Sequence, residues 1–278
     1  MSVSDIMSSP VYVIGPDEPV SHARNLMFRH KISTLVVVEN EEMVGIVTKS
    51  DMSHRLAQAE PMWRRRPIDK VPIKMIMTDE PITIYPEASI SQAANLMLEN
   101  RIENLPVIKN GVKGIVTVMD IVTHISKQDM ATKISEISTD ELVTVNRHHT
   151  IDHVIDELEK NHASKVIVTN DPGDAVGMIS TRDIALTIMK NNEGDLPSKN
   201  IKMARRPTSG GEKTYRYVKD VPLIAEDIMV ELSGIVNIND TVVNAAKIMS
   251  KDNFTDLPVE DNGMIVGVLS RRDVTQAK

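Results

Sequence analysis

Gly114-Ile115-Val116-Thr117-Val118-Met119-Asp120 decides how this chain is read, because the chain says the same phrase four times. The other copies are Gly45-Ile46-Val47-Thr48-Lys49-Ser50-Asp51, Gly177-Met178-Ile179-Ser180-Thr181-Arg182-Asp183 and Gly267-Val268-Leu269-Ser270-Arg271-Arg272-Asp273. Each is a Gly, two apolar residues, a Thr or Ser, two variable residues and an Asp. The Asp residues lie 69, 63 and 90 positions apart. A period of this kind makes the repeat the structural unit.

Working outward from the phrase, each copy closes a pair of β-branched, apolar strands and opens a helix. In the second repeat, Leu105–Ile108 and 112–117 flank Asn110-Gly111, a hairpin turn signal. Before them, Ile90–Asn100 has Ala93, Ala94 and Met97 at helical spacing, preceded by a short strand at 82–84. The order strand, helix, strand, strand, helix recurs in all four repeats, with helices also expected at 19–30, 151–161 and 242–251. The Asp of each phrase is expected to start the last helix.

A longer period groups the repeats. Asn104-Leu105-Pro106-Val107 and Asp256-Leu257-Pro258-Val259 carry Pro in the second strand, where the odd repeats have Val36 and Ile167. Pro is tolerated at strand edges, so alternate repeats are expected to occupy different edge environments. Arginine-bearing linkers also alternate: Met62-Trp63-Arg64-Arg65-Arg66-Pro67 and Lys202-Met203-Ala204-Arg205-Arg206-Pro207. The expected division is repeat 1 at 1–60, an arginine-rich linker at 61–72, repeat 2 at 73–130, repeat 3 at 131–191, a basic linker at 192–222 and repeat 4 at 223–278. A duplicated two-repeat module accounts for it.

Composition narrows the class. Aromatic residues make up 3% of the chain, so the core must be Ile, Val, Leu, Met and Ala. The 17 Met residues read as flexible packing. The net charge of -7 argues against a general nucleic-acid binder. The absence of Cys excludes disulfides and thiolate chemistry. With no apolar run of 18 residues and no signal-peptide stretch near Met1, a cytoplasmic protein that does not enter the membrane is expected. No nucleophile with an orienting base and no phosphate loop of the GxxxxGK type is present, so an enzyme is not expected. His149 and His153 share a helix face but lack a third ligand, so no metal site is expected.

The phrase allows a bland reading. A Thr or Ser followed three residues later by an acid resembles a capping box, which would retain both residues without any ligand.

The four phrases, each following an apolar strand pair and a Met- or Ala-bearing helix, resemble the CBS domain. The resemblance covers nearly the whole chain. It implies an α/β fold of α+β repeats, in which CBS-domain pairs form two Bateman modules packed as a flat disc. The four-repeat arrangement is similar to the gamma subunit of AMP-activated protein kinase and to stand-alone archaeal four-repeat proteins.

The resemblance also implies ligands: AMP, ADP, ATP or S-adenosylmethionine, held between paired repeats. Ribose hydroxyls then fall to Asp51, Asp120, Asp183 and Asp273, and ribose or phosphate contacts to Thr48, Thr117, Ser180 and Ser270. Val11, Ile82, Val143 and Ile235 are implied for the adenine, with Ile46, Ile115, Met178 and Val268 beside them. Lys49, Arg182, Arg271 and Arg272 are implied for phosphate. A carboxylate suits a ribose diol because its two oxygens accept from two adjacent donors. A helix start adds free amides for a phosphate. Repeat 2, with Val118-Met119, is expected to suit phosphate least, and repeat 4, with two Arg, best.

The function implied is a regulatory sensor of adenosine-type small molecules, acting through a protein partner or through self-association into a dimer. The alternative is a nucleic-acid-associated scaffold that uses the basic linkers. Lys199–Lys219 carries seven basic residues against one acid, with Tyr215 and Tyr217 among them.

Overall fold

A computed structural model of the chain describes residues 1–52, 68–137, 142–181, 183–184, 187, 199–205 and 214–277. The first arginine-rich run (Arg64–Arg66), Arg182 and Arg206 lie outside the described residues. The described residues fall into two compact units. One is drawn from 1–55, 60–142 and 232–278, the other from 143–231.

In repeat 1, β1 (Val13–Ile14) runs parallel to β2 (Thr34–Glu39), which pairs antiparallel with β3 (Glu42–Thr48). The Val20–His30 helix links β1 to β2 and buries Val20, Ala23 and Met27. It ends at Lys31 in the left-handed conformation, which turns the chain back into β2. Residues 34–39 form a strand in which Leu35 and the β-branched Val36 and Val37 are all buried, as apolar residues of an inner strand should be.

Repeat 2 repeats this plan with β5 (Asn104–Ile108) and β6 (Val112–Thr117). Its expected first strand at 82–84 is reduced to a single parallel bridge, Ile84 to Val107. Repeat 3 contributes β7 (Thr144–Asn146), β8 (Lys165–Thr169) and β9 (Ala175–Ser180); repeat 4 contributes β13 (Val236–Asn237), β14 (Asp256–Asp261) and β15 (Met264–Ser270). Helices 90–100, 151–160 and 242–252 occupy the expected places.

The opening turn of each repeat does not pack on its own repeat. Val3 donates its N–H to the Ala88 carbonyl at 2.8 Å, and Ser8 exchanges two backbone hydrogen bonds with Ile115 of β6 at 2.8 and 3.0 Å. In return Ile73 donates to the Glu18 carbonyl at 2.8 Å, and β4 (Thr78–Asp79) adds to the edge of β3. Residues 1–8 and 71–79 are thus exchanged between repeats 1 and 2. The same rule places 132–137 on repeat 4, through Ile134 to the Asp240 carbonyl at 2.9 Å. It places 223–231 on repeat 3, where β12 (Val230–Glu231) pairs with β9. This explains why the two compact units cut across sequence blocks.

The edge expectation for the prolines is corrected. β5 and β14 are inner strands: β14 lies between β13 and β15, and β5 between Ile84 and β6. Pro106 and Pro258 therefore remove a donor from inside a sheet. The basic linker also holds structure the sequence did not suggest: β10 (Lys199–Arg205) and β11 (Thr214–Val221) form an antiparallel hairpin.

Within the first unit, helices 118–125 and 242–252 share one core, with Ile121, Val122, Ala245, Ala246 and Met249 all buried. Thr123 Oγ1 lies 3.2 Å from Ser250 Oγ across this contact. Buried side chains the size of Ile121, Val122 and Met249 contribute roughly 1.5–3 kcal/mol each, and the two alanines less.

Candidate functional site

The phrase is built identically in all four repeats. The strand ends at the Thr or Ser, which becomes the N-cap of the next helix, and the Asp sits at the third helical position. The helix therefore starts two residues before the Asp, not at it. In repeat 1, Asp51 Oδ2 accepts the Thr48 N–H and the Thr48 hydroxyl, both at 2.7 Å, and the Asp51 N–H donates back to Thr48 Oγ1 at 3.2 Å. Asp120 accepts from Thr117 at 2.8 and 2.8 Å. Asp183 accepts from Ser180 at 2.8 and 2.6 Å, and Asp273 from Ser270 at 2.7 and 2.6 Å.

The capping box is thus present four times, and it uses one carboxylate oxygen. The other oxygen, Oδ1, receives no hydrogen bond from a described residue in Asp51, Asp120 or Asp183. The two jobs are compatible: one oxygen starts the helix while the second stays available as an acceptor. Burial pushes the Asp120 carboxyl above its ordinary value, opposed by the hydrogen bonds from Thr117.

The glycine of the phrase has a role that sequence reasoning missed. A Cβ at Gly114 would stand 2.7 Å from Met7 Sδ and 2.8 Å from the Ser8 carbonyl; at Gly45 it would stand 2.7 Å from the Thr78 carbonyl. At Gly177 it would meet Met229 Sδ at 2.6 Å. Only glycine lets the exchanged segment lie this close. The available signal was the Met at 7, 77 and 229, each just ahead of a repeat's first strand.

The strand ladders place the first-strand residues. Ile14, Ile84, Val145 and Val236 stand opposite Val37, Val107, Val168 and Val259. Two residues earlier lie Tyr12, Ile82, Val143 and Gly234. Ile82 and Val143 therefore hold equivalent positions, whereas Val11 and Ile235 fall one residue to either side of theirs. Ile82 is exposed and Val143 half-buried. By ladder position, Tyr12 and Gly234 are the equivalents of Ile82 and Val143.

The phrase's second residues line up with them. Ile46, Ile115, Met178 and Val268 stand opposite Val36, Pro106, Ile167 and Pro258. Ile46 and Val268 are buried; Ile115 and Met178 are half-buried. Each phrase hydroxyl faces a different cross-strand residue: Thr34 to Thr48, Asn104 to Thr117, Lys165 to Ser180 and Asp256 to Ser270. Lys165 is buried, and the buried Thr34 Oγ1 has no hydrogen-bond partner among the described residues.

The basic residues are placed unequally. Lys49 Nζ lies 5.5 Å from the Phe28 ring centre, beside Tyr12 stacked on His30. Arg271 donates from Nε to the Phe254 carbonyl at 2.8 Å and from Nη2 to the Asn253 carbonyl at 2.9 Å, capping the 242–252 helix. Arg272 Nη2 reaches the Arg101 carbonyl at 3.4 Å, at the end of the 90–100 helix. Both repeat 4 arginines thus face helix C-termini, where a cation is favourable. Among the described residues, no group of three His, Asp or Glu could hold a metal ion, and no helix is long and apolar enough to cross a membrane. His149 and His153 meet edge to face, 4.3 Å apart.

Comparison with known proteins matches this architecture. The family model described as CBS domain matches residues 3–58, 73–127, 134–190 and 218–278. Uncharacterized protein MJ1404 of Methanocaldococcus jannaschii is 23% identical over 98% of this chain, which spans 60% of that protein's length. An uncharacterized 33.4 kDa protein of Thermofilum pendens is 26% identical over 57% of the chain, and the match spans 55% of that protein. Among solved structures, protein MJ1225 from Methanocaldococcus jannaschii, described as a putative archaeal homolog of g-AMPK, superposes with a TM-score of 0.75 at 20% identity, covering 99% of both chains.

Proposed function

This chain belongs to the CBS domain family, and from that premise we propose that it is a regulatory sensor of adenosine-type ligands. AMP, ADP, ATP and S-adenosylmethionine are the candidates. The observation that carries this reading is the phrase carboxylate, with Oδ2 held by the Thr or Ser and Oδ1 receiving no hydrogen bond from a described residue in Asp51, Asp120 and Asp183. A preformed acceptor at a helix start suits a ribose diol, because the capping bonds fix its position before the ligand arrives.

In this reading Asp51, Asp120, Asp183 and Asp273 hold ribose hydroxyls, and Thr48, Thr117, Ser180 and Ser270 orient them. The backbone beside Ile82 and Val143 meets the base. Lys49, Arg182 and Lys165 serve phosphates. Arg271 and Arg272 already donate to backbone carbonyls, which leaves fewer of their N–H groups for a phosphate.

The exchange of opening segments makes repeats 1 and 2 depend on each other. A ligand that touches both the phrase and an exchanged segment favours one mutual arrangement over another, and shifts the population by its difference in affinity for the two. The output travels to a protein partner or to a second copy of the chain.

The test is to denature the purified protein, identify released small molecules by mass spectrometry, and titrate the stripped, refolded chain with each candidate by calorimetry. The reading requires at least one to bind. Binding of RNA in place of all four would favour the scaffold alternative.

A further inference from the structure

The prolines of β5 and β14 change what the first strand offers. In repeat 1, the Val36 N–H donates to the Tyr12 carbonyl at 3.1 Å. In repeat 3, the Ile167 N–H donates to the Val143 carbonyl at 2.8 Å. The equivalent donor positions in repeats 2 and 4 are Pro106 and Pro258, which have no N–H. The rest of the repeat 2 ladder is intact: Ile84 donates to the Pro106 carbonyl at 3.0 Å and Ile108 donates to the Ile84 carbonyl at 2.9 Å. One carbonyl is therefore left over in each even repeat, that of Ile82 and that of Gly234. Neither accepts a hydrogen bond from a described residue.

These carbonyls lie at the chemically relevant end of the sheet. Asn104 pairs with Thr117, and Ile82 lies on the other side of the same stretch of β5. The Ile82 carbonyl and the Thr117–Asp120 phrase thus flank one strand from opposite sides. Two strand spacings separate them, roughly 10 Å. Pro106 and Ile115 are paired across the ladder in the stretch between them.

We propose that the four sites fall into two classes set by this proline. Repeats 2 and 4 read an N–H donor on the base edge of the ligand through the Ile82 and Gly234 carbonyls. Repeats 1 and 3 have spent the same carbonyl on their own strand and do not read it. Pro106 and Pro258 are positioning residues, since they act by withholding a donor. This inference rests on the adenosine-ligand reading and names what the even sites select: an exocyclic amine on the purine, as in adenine, against the carbonyl of hypoxanthine.

The test uses the full-length chain with one phrase left intact at a time, titrated with AMP and with IMP. In the chain that keeps only Asp120 (D51N, D183N and D273N), AMP is expected to bind about tenfold more tightly than IMP, because IMP sets an acceptor against the Ile82 acceptor. Adding Pro106→Ala restores an N–H that pairs with the Ile82 carbonyl, and the AMP-to-IMP ratio is expected to fall to within about twofold. In the chain that keeps only Asp51, Val36→Pro is expected to raise that ratio. A purely structural effect of these substitutions would weaken both nucleotides together and leave the ratio unmoved. An unchanged ratio in P106A, with AMP still bound, overturns this inference and leaves the ligand reading standing. Failure of the wild-type chain to bind any adenosine ligand overturns both.

Discussion

Met7 lies against Gly114 so closely that a side chain there would sit 2.7 Å from its sulfur. The two residues are more than a hundred positions apart and belong to different repeats. The contact is made because the opening residues bond repeat 2, Val3 at Ala88 and Ser8 at Ile115 of β6, and not their own strands. Gly45, Gly114 and Gly177, which begin three of the phrases, are therefore docking sites for the neighbouring repeat's opening segment.

Gly45→Ala and Gly114→Ala are each expected to lower stability by about 1–3 kcal/mol, since a backbone carbonyl blocks the new methyl. Trimming Met7 to Ala should recover only part of the Gly114→Ala loss, because the Ser8 carbonyl remains 2.8 Å away. Urea unfolding of single and double variants measures this. Full recovery would show that side-chain crowding alone was responsible.

Replacing the cap hydroxyl separates its two jobs. Thr117→Ala should cost about 1 kcal/mol of stability through the lost cap. Thr117→Ser should restore it. Thermal denaturation of the two variants is the check.

Arg271 is expected to act first on stability. Its guanidinium donates to Phe254 and Asn253 and closes the end of the 242–252 helix. Arg271→Ala should cost about 1–2 kcal/mol, and Arg271→Lys should recover little, because an ammonium cannot reproduce the planar fork. Equal stability of all three chains in urea would contradict this placement.

Asp120 should give repeat 2 its own pH response. Burial raises its folded-state value above the unfolded one. Its contribution to stability is therefore fullest below the unfolded value and is lost as pH rises through the folded value. Ligand binding runs the other way, since only the ionised form accepts two hydroxyls. In a chain keeping only Asp120 among the four, AMP affinity should fall as the pH is lowered from 7 towards 4.5, while the protein itself is not destabilised by this group. Asp120→Asn should abolish its share of the stability slope. Acid and thermal unfolding curves recorded side by side test both limbs.

Much of this was legible in the residues. The fourfold phrase, the helices at 20–30, 90–100, 151–160 and 242–252, and the Ala93, Ala94 and Met97 core face follow from local periodicity. The capping box was legible for the same reason, because Thr117 and Asp120 are three residues apart. What periodicity cannot carry is partner choice. Nothing local says that Val3 bonds Ala88, or that Pro106 lies in an inner strand. Val11 and Ile235 stand one residue away from the ladder positions of Ile82 and Val143, because a two-residue strand has too little pattern to set its register. The resemblance gave Arg271 and Arg272 to phosphate from their place beside the phrase; their carbonyl partners, at the ends of two other helices, are distant in sequence and carry no local signal.

The central claim is that the phrase carboxylates bind an adenosine ligand as well as starting helices. The most direct measurement is calorimetric titration of AMP, ADP, ATP and S-adenosylmethionine into the stripped wild-type chain and into the chain with all four phrase Asp residues changed to Asn. Asparagine keeps an oxygen for the Thr or Ser, and loses the second acceptor. We expect the wild type to bind at least one ligand and the Asn chain to unfold within a few degrees of it without binding. A wild type that binds none of the four, or an Asn chain that binds as tightly as the wild type, would contradict the account.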